Sequence, residues 1–182
     1  KKDFSTVFLS AVLLGTHWIT YFYALKLSNV ALGMLSLFTF PVITALLEPI
    51  FLKTKLNRIH VFLGIIVLIG IYILAPKFDF ESSHVKGIIL GIFSAICYAL
   101  RNLTLKRHIG QYNGTALMMY QILMLSIVLV PVMFILDTSN ISTQYPYVIL
   151  LALFTTAIGH SLFIHSLKYF SVSTASIINS LQ

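Results

Sequence analysis

Continuously apolar runs follow one another along this chain, with only short polar gaps between them. They cover approximately residues 5–25, 30–51, 59–75, 86–105, 115–136 and 145–167, and a seventh starts near 171 and runs to Gln182. A bilayer core about 30 Å thick takes roughly 20 helical residues at 1.5 Å rise, so each of the six is long enough to cross. Strands of a membrane barrel would alternate in polarity over about 10 residues, and these runs do not alternate. The pattern predicts an all-α fold, a polytopic transmembrane helix bundle. Its gaps are too short to fold independently; the longest are 76–85 and 137–144.

Composition agrees: 58% of residues are hydrophobic and 9% charged, with a mean hydropathy of +0.95. A net charge of +7 and a pI of 9.6 would suit a nucleic-acid ligand, but the placement of the charges excludes that need. Alternate gaps on one side hold Lys1, Lys2, Lys53, Lys55, Arg58, Lys106, Arg107 and Lys168, against Lys26, Lys77 and Lys86 on the other. Cytoplasmic loops carry the Lys/Arg excess, so the first set is expected inside. Cys97 is the one cysteine, which rules out a disulfide framework and reads as a small packing residue. The first run lacks a cleavage pattern of small residues and is not a signal peptide. The chain starts at Lys1 and stops inside an apolar run, so it reads as a fragment with material missing at both ends.

A faint internal repeat appears at an offset of 142 positions. It lays Ala24-Leu25-Lys26 on Ser166-Leu167-Lys168, Val30 on Val172 and Leu9 on Leu151. The two windows are five spans apart, so the copies would lie inverted in the membrane, a hallmark of secondary transporters. Gly87 and Gly91 form a Gly-x-x-x-Gly step with Ser94 next on the same face, and Gly64 and Gly70 thin the third span. Small residues of this kind let helices approach closely in lipid. Pro41 in the second span and Pro131 in the fifth each remove a backbone hydrogen bond and predict kinks.

Polar groups at bilayer depth are costly and so mark function by default. Ser94, Tyr98, Arg101 and Asn102 share one helical face. His17 and Tyr21 lie one turn apart beside Trp18, Thr156, Gly159, His160 and Phe163 form a further stripe, and Tyr120 and Gln121 lie in the fifth span. Together they suggest a lined central cavity, with Tyr98 and His160 facing a shared water-accessible space. The candidate substrate-binding residues are His17, Trp18, Tyr21, Tyr98, Gln121 and His160. Plainer roles compete with these. Either histidine can simply hydrogen-bond a neighbouring helix, and Arg101 is expected to snorkel toward the headgroups near Lys106 and Arg107. Glu48 is expected to pair with Lys53 or Lys55, and His165 is structural. No nucleotide-binding loop or hydrolase motif is present, and histidines 17, 160 and 165 lack the carboxylate company of a zinc site. No catalytic residue, metal or cofactor is expected.

Several local motifs carry a resemblance. Tyr21-Phe-Tyr-Ala-Leu-Lys26 closes one helix; Pro41, Glu48 and Pro49 mark the next; Gly64 to Gly70 mark a third. Gly87-Ile-Ile-Leu-Gly91, Ser94-Ala-Ile-Cys-Tyr-Ala99 and Leu167-Lys-Tyr169 follow. In these the chain resembles the EamA-like branch of the drug/metabolite transporter superfamily, ten-helix proteins built from two inverted five-helix repeats. The likeness covers the whole chain as helices three to eight and the start of nine. Residues 1–76 then form the later part of the first repeat and residues 77–182 a truncated second one. It implies a secondary transporter, an exporter of small organic metabolites such as amino acids, working by alternating access in a bacterial inner membrane. The implied partners are the lipid bilayer and a small-molecule substrate, with a homodimer left open. An intramembrane enzyme or lipid-handling protein using a histidine base is the alternative, and a membrane scaffold the third reading.

The charge pattern makes a topological prediction. Single cysteines at Ser82 and Gln111, with Cys97 replaced, should label from opposite sides of the membrane with an impermeant thiol reagent. Labelling of both from one side would overturn the span count.

Overall fold

The computed structural model describes residues 2–56, 58–74, 82–110, 112–134 and 141–180. Residues 76–81 and 137–140 of the two longest expected loops, and Gln111, lie outside the described residues. Where described, the expected spans are helical apart from Phe38 and Thr39 inside the second and the last residues of the fifth and sixth, Phe134 and Leu167. The elements are α1 (Lys2–Leu27), α2 (Val30–Leu37), α3 (Phe40–Leu52), α4 (Arg58–Leu74), α5 (Ser83–Lys106), α6 (Gly114–Met133) and α7 (Ile141–Leu151). A π-helical stretch (Ala152–His160), α8 (Ser161–Ser166) and α9 (Val172–Asn179) complete the order. Five stretches among the described residues are long and apolar enough to cross a bilayer. The third expected span is the short α4, of 17 residues.

Side-chain caps start several of these helices. Asn29 accepts from Leu32 N at 2.9 Å, Ser82 from His84 N at 3.2 Å, Asn113 from Thr115 N at 2.9 Å and Ser171 from Thr174 N at 3.1 Å. Each satisfies one of the free N–H groups that a helix start leaves over. Helices α2 and α9 begin at valines 142 positions apart, end 142 positions apart, and carry the same kind of cap at Asn29 and Ser171. That is the offset read from the sequence.

Two spans are not single α-helices. The second breaks at Phe38 and Thr39, and Thr39 Oγ1 donates back to Ser36 O at 2.7 Å. Pro41 lies in the first turn of the new helix α3, where its missing N–H costs nothing. The expected mid-helix kink is thus a helix restart. The sixth span winds into a π-helix over its middle, so its side chains leave the 3.6-residue spacing on which the stripe from Thr156 to Phe163 was drawn. α6 runs through Pro131, which lies in its last turn.

The most buried span is α5, packed along α1, α2 and α3, with α6 on the other flank of α1. Its glycines permit this. A Cβ added at Gly87 would lie 2.7 Å from Ser28 Cβ and 2.9 Å from Ser28 N, and one at Gly91 2.5 Å from Ser36 Cβ. Gly64 meets Val42 in the same way on the α4–α3 seam, at 2.2 Å. By contrast α4 and the sixth span present Phe62, Ile65, Ile69, Phe154 and Leu162 outward, the surface expected of helices facing lipid chains.

Gly87→Val should therefore force α5 off α2 and lower the unfolding free energy by about 1–3 kcal/mol, the usual cost of overpacking. Gly110→Ala, at a position with open space around it, should change thermal unfolding in detergent very little.

Candidate functional site

The polar stripe of α5 faces inward along its whole length. Ser94, Arg101 and Asn102 have no exposed surface and Tyr98 retains 5%. Ser94 Oγ donates to His17 O at 2.8 Å, and His17 Nδ1 lies 2.8 Å from Ser94 Oγ and 3.2 Å from Ser94 O. The carbonyl can only accept and the hydroxyl proton is already used, so the His17 proton must sit on Nδ1. This reciprocal clasp joins α1 to α5. His17 thus takes the helix-bridging role while its ring remains part of the site.

Tyr98 is the centre of a ring cluster. The His17 ring stacks on it at 4.6 Å between centroids, Phe40 meets it edge-on at 5.0 Å, and His160 and Phe163 both lie at 6.1 Å. Trp18 stands edge-on to His160 at 6.3 Å, and Tyr21 stacks on His17 at 6.1 Å. Such pairs each add roughly 0.5–1.5 kcal/mol beyond the burial of their area. His160 donates from Nδ1 to Thr155 O at 2.8 Å, five residues back, a contact that the π-helical winding creates. Its Nε2 is buried with no partner.

Below Tyr98 lies a polar knot. Arg101 is fully buried. Its Nη1 donates to Asn102 Oδ1 at 2.9 Å, and its Nη2 donates to Gln121 Oε1 and lies 3.6 Å from the Met118 sulfur. The guanidinium carbon stands 5.9 Å from the centre of the Tyr98 ring. The expected snorkelling of Arg101 is overturned: the side chain turns into the bundle because Asn102 and Gln121 offer it oxygen acceptors there. Gln121 is buried, while Tyr120 beside it is 55% exposed and points away.

All six candidate residues therefore join one connected cluster, five through the rings around Tyr98 and Gln121 through Arg101. The expected water-accessible space between Tyr98 and His160 is closed, since the rings fill it and Tyr98 is sealed. Arg101 and Phe40 belong to the cluster and were missed as candidates. Arg101 shared the stripe with Tyr98 and was legible; Phe40 looked like any apolar residue.

Glu48 forms a second polar centre. Its carboxylate accepts from Val172 N at 2.8 Å, from Ser173 N at 3.0 Å and from Ser173 Oγ. The expected pairing with Lys53 or Lys55 is not what its partners show. A carboxylate at a helix N-terminus answers both the free N–H groups and the positive end of the dipole, which outweighs an exposed lysine. Lys55 and His60 line the same cavity of about 210 Å³ beside Glu48. Nearby, Lys106 Nζ donates to Leu167 O and to Phe170 O at 2.8 Å, and Arg107 Nη2 donates to Phe51 O. Lysine and arginine read as topology signals thus also tie α5 to the chain after α8 and to the end of α3. Among the described residues no group of three His, Cys, Asp or Glu side chains could hold a metal.

Replacing Glu48 by Gln should remove charge-assisted bonds worth about 1.5–3 kcal/mol in all and free the start of α9. Amide hydrogen exchange should then speed up at residues 172–176 while α5 stays protected. Unchanged exchange there would contradict the capping role.

The sequence model described as the EamA-like transporter family matches residues 1–75 and 85–182. Comparisons with the curated proteins and with the solved structures give no match.

Proposed function

Since the chain belongs to the EamA-like transporter family and is an integral membrane protein of drug/metabolite transporter type, we propose that the cluster around Tyr98 is where its small-molecule substrate binds. The observation that carries this is the convergence of polar and aromatic side chains from α1, α5, α6 and the sixth span on one buried point. Helix bundles in lipid need no such cluster for stability, because apolar packing suffices. The rings of Tyr98, Trp18 and Phe163 would enclose the apolar part of a solute, and His160 Nε2 would accept a hydrogen bond from it. With its proton on Nδ1, a neutral imidazole offers a lone pair at Nε2.

In our reading the bundle is captured closed. Access would alternate as residues 1–76 and 77–182, the two inverted repeats, rock against each other about the seam between α5 and α1–α3. The contact of Glu48 in α3 with the start of α9 would be made and broken in that motion, because it ties the two parts together at a cavity. The break in the second span lies at the cluster with Thr39 and Phe40 buried, where a departure from α-helix is tolerated because it faces protein, and the π-helical stretch brings His160 to the same cluster. The transported species would be small organic metabolites such as amino acids, moved outward across a bacterial inner membrane.

Flux of radiolabelled amino acids into or out of liposomes bearing the full-length protein tests this. Tyr98→Ala and His160→Ala should each cut flux by about tenfold or more, the loss that accompanies a contact worth 1.4 kcal/mol. Insertion and yield should be kept, and Ile66→Leu, on an outward-facing position, should have no effect. Full flux in both alanine variants would remove the cluster from the transport path.

A further inference from the structure

Arg101 is a permanent cation with no exposed surface, and its partners are two amide oxygens, a thioether and the face of a ring. None of these carries a negative charge. A guanidinium cannot shed its proton in a protein, and a buried ion without a counter-charge is strongly disfavoured. The surrounding donors repeat the pattern. Arg101 Nε, Asn102 Nδ2 and Gln121 Nε2 are all buried N–H groups without an acceptor among the described residues. Both amides have spent their oxygens on Arg101, so what they have left to offer is N–H. Three unanswered donors and one uncompensated positive charge, on α5 and the facing α6, want the same thing: an acceptor bearing negative charge.

From this we infer that Arg101, Asn102 and Gln121 form a buried anion site, and that its ligand is the carboxylate of an organic anion whose apolar body packs against Tyr98. The inference rests on the substrate-site reading above and narrows it to a chemical class. A planar fork of N–H groups matches the two oxygens of a carboxylate better than a spherical ion does. The adjoining rings have no use for a small inorganic ion. In the closed bundle the site is held by amide oxygens that stand in for the missing negative charge without cancelling it.

The test uses the purified full-length protein and three probes with the same ring: phenylacetate, phenylacetamide and phenethylammonium. Thermal unfolding in detergent is read for the wild type, Tyr98→Ala, Arg101→Gln and Gln121→Glu, with sodium chloride as an inorganic control. Phenylacetate should raise the melting temperature of the wild type by a few degrees, and the amide and ammonium should not. Arg101→Gln should abolish that response. Gln121→Glu is the informative variant, because it sets an internal carboxylate beside Arg101 with almost no change of shape. It should melt higher than wild type without ligand and should ignore phenylacetate. A lower melting temperature for Gln121→Glu, no response of the wild type to phenylacetate, or chloride protecting as well as phenylacetate would each overturn the anion site. Equal protection by phenylacetate and phenylacetamide, lost in Tyr98→Ala and kept in Arg101→Gln, would overturn it while leaving the aromatic substrate site in place. Protection that survives in both variants would remove both readings.

Discussion

In hydrocarbon a polar side chain has no water to return to, so the polar groups that α5 carries look for partners inside the bundle, several of them on other helices. That requirement organises the bundle. Ser94 finds the backbone and ring of His17, Arg101 finds Asn102 and the Gln121 of α6, and Lys106 finds the carbonyls of Leu167 and Phe170. The glycine face of the same helix is what lets the partners come near enough. With Ser28 and Ser36 in direct contact at Gly87 and Gly91, the α1–α2 hairpin lies close enough for His17 to reach Ser94. Small residues set the distance, and the hydrogen bonds then set the register.

The arrangement leaves deliberate imperfection at its centre. A bundle built only for stability would have answered Arg101 with a carboxylate or replaced it with leucine. Instead the charge is shared among neutral oxygens and the Tyr98 face, and the remaining donors find no acceptor among the described residues. Cation–π contact and neutral hydrogen bonds soften the cost of burial without removing it. On the reading proposed above such a shortfall has a use, because a site already satisfied by its own protein has nothing to gain from a ligand. Among the described residues the membrane-depth carboxylate, Glu48, is meanwhile committed elsewhere, to the N-terminus of α9.

How much of this was legible in the sequence differs by feature. The spans, the close packing at Gly87 and Gly91, and the 142-residue spacing of α2 and α9 follow from local composition, and local composition survives folding. The six candidate residues also converge as a group, since polar and aromatic groups at bilayer depth have few places to go. The readings of Arg101 and Glu48 went wrong for one shared reason. Each was assigned to the nearest charged residues along the chain, whereas the partners include neutral groups further off: Asn102 and, on the next span, Gln121 for one, and Val172 and Ser173 for the other. Proximity in sequence is a poor guide once a helix end or an amide across a seam offers better geometry than an exposed lysine.

The sequence by itself determined that this chain lives in a membrane, where its helices begin, and which residues are too polar for lipid, because hydropathy and capping act within a few residues. Only the tertiary structure decided which of those polar residues answer one another. That the second span breaks at Phe38 and Thr39, that the sixth span winds as a π-helix to bring His160 toward Tyr98, and that Arg101 turns inward are all decided between helices. The free energies separating these alternatives come from partners contributed by distant segments, and no local pattern records them.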